Sequence, residues 1–224
     1  AYIMGGNVYT GEQKIAKPGQ QVKEDINLEV RGKEHPWVSR GGLKLVQGID
    51  EFKIDVTDMT VIDVGASTGG FTDVCLEKGA KKVYAVDVGH GQLAWKIRND
   101  ERVVVLEKTN ARYLTDAEIP EKVNLIVCDA SFIGLQTVLP SPMKRAQEDC
   151  VLIALIKPQF EVGKGKVGKG GVVREPELHK EVCDKIENWL RDEMDGWNVI
   201  GITQSPIKGP EGNIEFLIGA RYEP

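Results

Sequence analysis

Apolar residues fall along this chain in short blocks separated by amphipathic stretches. Five blocks read as buried strands: 61–64, 83–86, 103–106, 123–128 and 151–156. Stretches 197–203 and 214–218 read as two more strands, able to pair as a closing hairpin. Between the blocks the period lengthens. Leu43, Val46, Ile49 and Phe52 predict a helix over 42–52 with Lys44 off its apolar face, and Ser39 with Gly41 and Gly42 suits its start. A helix is predicted over 71–78, and Leu178, Val182, Ile186 and Leu190 place a long one over 175–191. Strands alternating with helices predict an α/β domain with a mostly parallel sheet and an antiparallel edge.

The first residues, 1–6, begin without an initiator or cap signal and read as the tail of a segment whose start lies outside the sequence. Short strands are expected at 7–9 and within 21–30, with a turn at Lys17-Pro18-Gly19. That stretch is too small to bury a core alone. The charged residues 31–38, with Pro36, read as a linker.

The first buried strand runs into Asp63-Val64-Gly65-Ala66-Ser67-Thr68-Gly69-Gly70-Phe71. Strand, glycine turn, then helix is how a doubly wound domain offers backbone N–H groups to a nucleotide-like ligand. Ser67 stands where a dinucleotide fingerprint has its second glycine. The acid at Asp63 repels phosphate and suits a cationic ligand such as S-adenosylmethionine. A nicotinamide oxidoreductase is therefore disfavoured, while a purely structural glycine turn stays open.

Polar residues sit at the expected carboxyl ends of other strands: Asp87, Asp129 and Lys157. Asp87 falls where an acid meets the ribose hydroxyls of an adenosine. Asp129 and Lys157 read either as a structural ion pair or as a catalytic lysine placed by a carboxylate, and Lys44 and Glu215 can complete the cluster. Glu215 stands in an otherwise apolar strand and needs a partner if it points inward. The loop Gly163-Lys164-Gly165-Lys166-Val167-Gly168-Lys169-Gly170-Gly171 is flexible and basic, either a surface loop or a clamp for a phosphate backbone. It is not a Walker loop.

The whole chain has 224 residues, room for one α/β domain and a small appendage. Its net charge of −5 argues against indiscriminate nucleic-acid binding by the entire surface. Four cysteines without C-x-x-C spacing read as free thiols of a reducing cytosol rather than a metal or disulfide set. No apolar run is long enough to span a bilayer.

Several motifs together resemble the TlyA family of ribosomal RNA 2′-O-methyltransferases, whose catalytic domain is FtsJ-like. They are 38–45, 63–71, Asp87-Val88-Gly89 with Gln92-Leu93, 128–133, 156–161, 205–210 and Asn213-Ile214-Glu215. The resemblance implies a Rossmann-like class I methyltransferase over 39–224. It has a seven-stranded, mostly parallel sheet with an antiparallel C-terminal hairpin. Residues 1–30 resemble the end of an S4 RNA-binding domain.

It further implies a Lys-Asp-Lys-Glu tetrad at Lys44, Asp129, Lys157 and Glu215, filled at all four positions. Cofactor contacts are implied at Asp63, Gly65, Ser67, Thr68, Gly69, Gly70, Phe71, Asp87, Asn110 and Asp129. RNA contacts are expected at Arg40, Lys164, Lys166 and Lys169. Asn110 reads equally as a helix cap. The implied cofactor is S-adenosylmethionine, the implied partner ribosomal RNA in ribosomal subunits, and the implied location the cytoplasm, with no metal and no membrane. Lys157 either accepts the proton of a ribose 2′-hydroxyl or only orients that hydroxyl. Members of the family have also carried a haemolysin label. A membrane-active protein and an RNA-binding assembly factor with an inactive transferase domain are the competing classes.

Overall fold

A computed structural model describes residues 3, 8–15, 17, 19–30, 35–163 and 165–224. The chain divides into two compact units, Ala1–Pro36 and Trp37–Pro224. In the first, β1 (Val8–Thr10) pairs antiparallel with β2 (Gln13–Lys14) and with β3 (Glu29–Val30). Only the last two residues of the stretch expected as strand over 21–30 pair in this way. Gln20 N donates to Lys17 O at 3.0 Å, closing the expected turn.

The second unit is built on one sheet. Its strands are β4 (Thr60–Val64), β5 (Lys82–Val86), β6 (Val103–Leu106), β7 (Val123–Cys128), β8 (Ala146–Ile156), β9 (Trp197–Gln204) and β10 (Phe216–Tyr222). They lie in the order β6-β5-β4-β7-β8-β10-β9. The first five run parallel, and β10 is antiparallel to both β8 and β9. This is the mostly parallel seven-stranded sheet with an antiparallel closing hairpin. The central strands are apolar on both faces because helices cover both. Ile62, Ile126 and Leu152 pack with Ile186 and Leu190 of the long helix Pro176–Glu193. Val61, Leu125 and Ile153 pack on the other side with Leu45 and Phe71.

Three local details differ from the pattern reading. Helix α1 (Gly41–Glu51) buries Lys44, Leu45, Gly48 and Ile49, while Leu43 and Val46 are only half-buried. Gly48 is the cause: a Cβ there would meet Ile153 Cγ2 at 2.8 Å, so the helix presses its glycine onto the sheet. Lys44 is drawn inward with that face instead of falling off it, and its ammonium finds carboxylates there. Ser39 makes no side-chain cap; its hydroxyl packs over Gly70, where a Cβ would lie 2.2 Å away. Finally, β10 begins at Phe216, so Glu215 sits just before the strand, at the end of an eleven-residue connection over 205–215.

Candidate active site

The strand β4 ends at Val64 and the chain turns sharply. Gly65 (φ +82°), Ser67 (φ +48°) and Gly69 (φ +97°) all take the left-handed region. Gly65 is required by space as well as by angle, since a Cβ would come within 2.8 Å of the Ala130 backbone. Gly65 N and Ala66 N donate to Val86 O at the end of β5, and Ser67 N donates to Asp87 Oδ2 at 2.8 Å. The turn then opens helix α2 (Gly70–Glu77). Asp87 Oδ1 also accepts Gly89 N–H at 2.7 Å. Two backbone donors therefore fix this carboxylate.

Two adjoining cavities, of about 530 Å³ and 450 Å³, share Gly65, Ser67, Asp129, Ser131 and Phe132 as common walls. Arg40, Lys44, Thr68, Gly70, Phe71, Lys157 and Glu215 line the first. Asp87 and Asn110 line the second, with Gln92 and Ile133. Asn110 Oδ1 accepts Arg112 N–H at 3.1 Å and so caps a short 3-10 turn as well as facing the cavity.

Four charged side chains form a continuous row along the first cavity. Glu215 Oε2 accepts from Lys44 Nζ at 2.6 Å, and Lys44 Nζ lies 3.9 Å from Asp129 Oδ2. Asp129 Oδ1 in turn lies 2.6 Å from Lys157 Nζ, in ion contact rather than in a directed hydrogen bond. Lys157 Nζ donates to Asp129 O at 3.0 Å and to Ser131 Oγ at 2.9 Å. Lys44, Lys157 and Glu215 are buried, so each depends on the others for its polar partners. Two positive and two negative charges balance, and the row ends on a lysine at the cavity wall.

The other expected residues are placed as follows. Asp63 lines neither cavity: it is wholly buried under the turn and accepts Thr72 N–H at 3.0 Å and Thr72 Oγ1–H at 2.6 Å. Burial pushes its carboxyl up to about 7, with the negative charges of Asp129 and Asp87 adding to the rise. Gly69 faces Leu93 and Ile97. Lys166 is exposed and pairs with Glu181 at 2.6 Å, Lys169 is exposed, and Arg40 Nη2 donates to Lys208 O at 3.3 Å. Lys164 lies outside the described residues.

Sequence reasoning missed Ser39, Ser131, Gln159 and the ring pair Phe132–Phe160, whose centroids are 5.1 Å apart. Ser131, Phe132 and Gln159 follow Asp129 or Lys157 within three residues, and that proximity was the available signal. Phe132 holds φ +65° and is almost fully exposed, an unusual state for a large aromatic residue.

Comparison with known proteins decides the family. The model of the FtsJ-like methyltransferases matches residues 37–222. The chain belongs to the FtsJ-like methyltransferases. Among its relatives is the 16S/23S rRNA (cytidine-2′-O)-methyltransferase TlyA of Mycobacterium tuberculosis, 47% identical over 222 residues, covering 99% of this chain and 82% of that one. A solved structure from Streptococcus thermophilus with a hemolysin name superposes with a TM-score of 0.84 at 41% identity, covering 99% of this chain and 80% of that one. An S-adenosylmethionine-dependent methyltransferase fold from Listeria monocytogenes superposes at 0.57 with 15% identity, covering 83% of this chain and all of that one. As an FtsJ-like methyltransferase the chain is an enzyme of the class I fold. Among the described residues no helix is long and apolar enough to cross a membrane.

Proposed function

We propose that this chain transfers a methyl group from S-adenosylmethionine to a ribose 2′-oxygen of ribosomal RNA, with cytidine as the target. The carrying observation is the row Glu215–Lys44–Asp129–Lys157 beside the glycine turn. When bound, S-adenosylmethionine supplies a methyl group activated by its sulfonium charge.

The residues present suit that group. Gly65 leaves a bare backbone cradle against Ala130. The two backbone N–H bonds preset Asp87 and leave lone pairs for ribose hydroxyls. The carboxylates of Asp87 and Asp129 favour a cationic ligand. Asn110 closes the far wall of the adenosine side.

In this reading Lys157 meets the acceptor oxygen. Its contacts with Asp129 fix Nζ, and the ribose oxygen takes the place of Ser131 Oγ as a further partner. That contact turns an oxygen lone pair toward the methyl group, an alignment that lowers the barrier by positioning. With S-adenosylmethionine bound, the C–O bond would form as the sulfonium S–C bond breaks, the sulfur would leave as a neutral thioether, and the hydroxyl proton would pass to water. Lys44 holds Asp129 from behind, and Glu215 holds Lys44. Phe132 and Phe160 at the rim offer aromatic faces on which an unstacked base can rest. Arg40, Lys164, Lys166 and Lys169 meet the phosphate backbone, and residues 1–30 serve as the end of an S4-type RNA-binding module. With this substrate the place of work is the cytoplasm.

The test is a map of 2′-O-methyl marks on ribosomal subunits incubated with the protein and labelled S-adenosylmethionine. New marks on cytidine are expected. Label appearing on base nitrogens or on protein would overturn the reading.

A further inference from the structure

Asn213 is wholly buried and lines neither cavity, yet every polar group it carries on its side chain is engaged. Its Oδ1 accepts Val173 N–H at 2.9 Å, and its Nδ2 donates to Gly171 O at 3.0 Å. Its own backbone carbonyl accepts Gly209 N–H at 2.9 Å. One amide therefore ties the end of the basic loop, 163–171, to the connection that carries Glu215. Glu215 lies two residues further on, with Lys44 at 2.6 Å.

Both sides of this joint are stiff. On the loop side, His179 Nε2 lies 3.0 Å from Val173 O, and Gly168 N donates to Val172 O at 3.2 Å. On the other side, a Cβ on Gly209 would come within 2.6 Å of Glu215 Oε1, so a shift of that connection presses on the carboxylate. Ser205 N also donates to Glu215 O at 2.9 Å. The exposed Lys166 and Lys169 stand five and two residues before Gly171 in the same loop, Lys169 in the short 3-10 turn that ends there. Lys166 pairs with exposed Glu181, a contact weak enough to yield to a phosphate.

We propose that Asn213 is a positioning residue that couples phosphate contacts on the loop 163–171 to the Glu215–Lys44 pair. This deepens the ribosomal RNA reading and rests on it. A connection of this kind works in both directions. Anchoring the loop sets the carboxylate, and cutting the connector weakens RNA engagement and catalysis together. The glycine turn and Asp87 keep their own hydrogen bonds, none of them to Asn213, and are left alone.

The test uses the full chain, with ribosomal RNA as the probe. Three variants are compared: Asn213→Ala, the pair Lys166→Ala/Lys169→Ala, and all three changes combined. Measured are the salt dependence of RNA affinity, kcat at saturating RNA, and S-adenosylmethionine affinity by calorimetry. The lysine pair should lower the slope of log K against log salt by about 0.7 to 0.9 per lost phosphate contact. Asn213→Ala removes no charge, yet it should lower that slope similarly and reduce kcat about tenfold. Cofactor affinity should stay unchanged. In the combined variant the slope should fall no further.

A wild-type slope in Asn213→Ala, with a reduced slope in the lysine pair, overturns the coupling while sparing the RNA reading of the loop. An unchanged slope in the lysine pair overturns the loop reading and the coupling with it. If Asn213→Ala does not fold, Asn213→Asp serves instead. It keeps an acceptor for Val173 N–H and sets an oxygen against Gly171 O, and the same criteria then apply.

Discussion

Lys44 Nζ and Glu215 Oε2 meet at 2.6 Å although 171 positions separate them in the chain, and their side chains are 8% and 1% exposed. Helix α1 supplies the lysine and the segment before β10 the carboxylate, so the pair closes the first and last parts of the unit over one cavity. Removing one member leaves the other charged and buried. Lys44→Met or Glu215→Gln alone should therefore cost about 3–5 kcal/mol of stability. The double change Lys44→Met/Glu215→Leu should recover most of it in urea unfolding. Methyl transfer should stay lost in all three. Activity returning with stability in the double variant would show that the pair serves the fold alone.

Lys157 ends the charged row, held by Asp129 and Ser131. Lys157→Ala should reduce methyl transfer by about 10²-fold or more, the scale on which losing the alignment of an acceptor oxygen costs rate. Calorimetry should find S-adenosylmethionine binding nearly intact, because the glycine turn and Asp87 are untouched. Retained turnover would remove Lys157 from the chemistry.

The sheet was legible because its strands are apolar blocks, and the glycine turn because its residues are contiguous. The members of the charged row were legible only as strand-end residues and by resemblance. Nothing local in 42–52 announces that Lys44 turns inward, since that depends on Gly48 meeting Ile153 across the core. Ser39 looked like a cap because its type suits one, and only the position of Gly70 shows why it is not. Asp63 reads as a ligand-facing acid at a strand end, yet strand alternation points it to the α1 and α2 side, under Thr72. Ser131, Gln159 and the Phe132–Phe160 pair became visible once backbone and cavity were known.

Gly65 offers a test of the cradle itself. Its φ of +82° disfavours any side chain, and an added Cβ would lie 2.8 Å from Ala130 Cα and 2.9 Å from Ala130 N. Those neighbours are backbone and cannot rotate away. Gly65→Ala should destabilise the protein by about 1–3 kcal/mol. It should also weaken S-adenosylmethionine binding far more than RNA binding. Equal losses of both affinities would mean that the turn is only a structural corner.

Asp63 makes a prediction in pH. Burial raises its carboxyl from an ordinary 3.8 to about 7 in the folded chain. Between those values the folded state holds a proton that the unfolded state has released. Stability therefore falls as pH rises through this window, by up to a few kcal/mol, and levels off above it. Asp63→Asn cannot ionise, and its side-chain oxygen can still accept from Thr72 N–H and Oγ1–H. The difference in melting temperature between Asp63→Asn and the parent should accordingly grow in favour of the variant from about pH 4 to about pH 7, then stay constant. The comparison cancels the titration of groups common to both proteins. A difference that is flat across that range would mean that Asp63 keeps an ordinary carboxylate pKa beneath the turn.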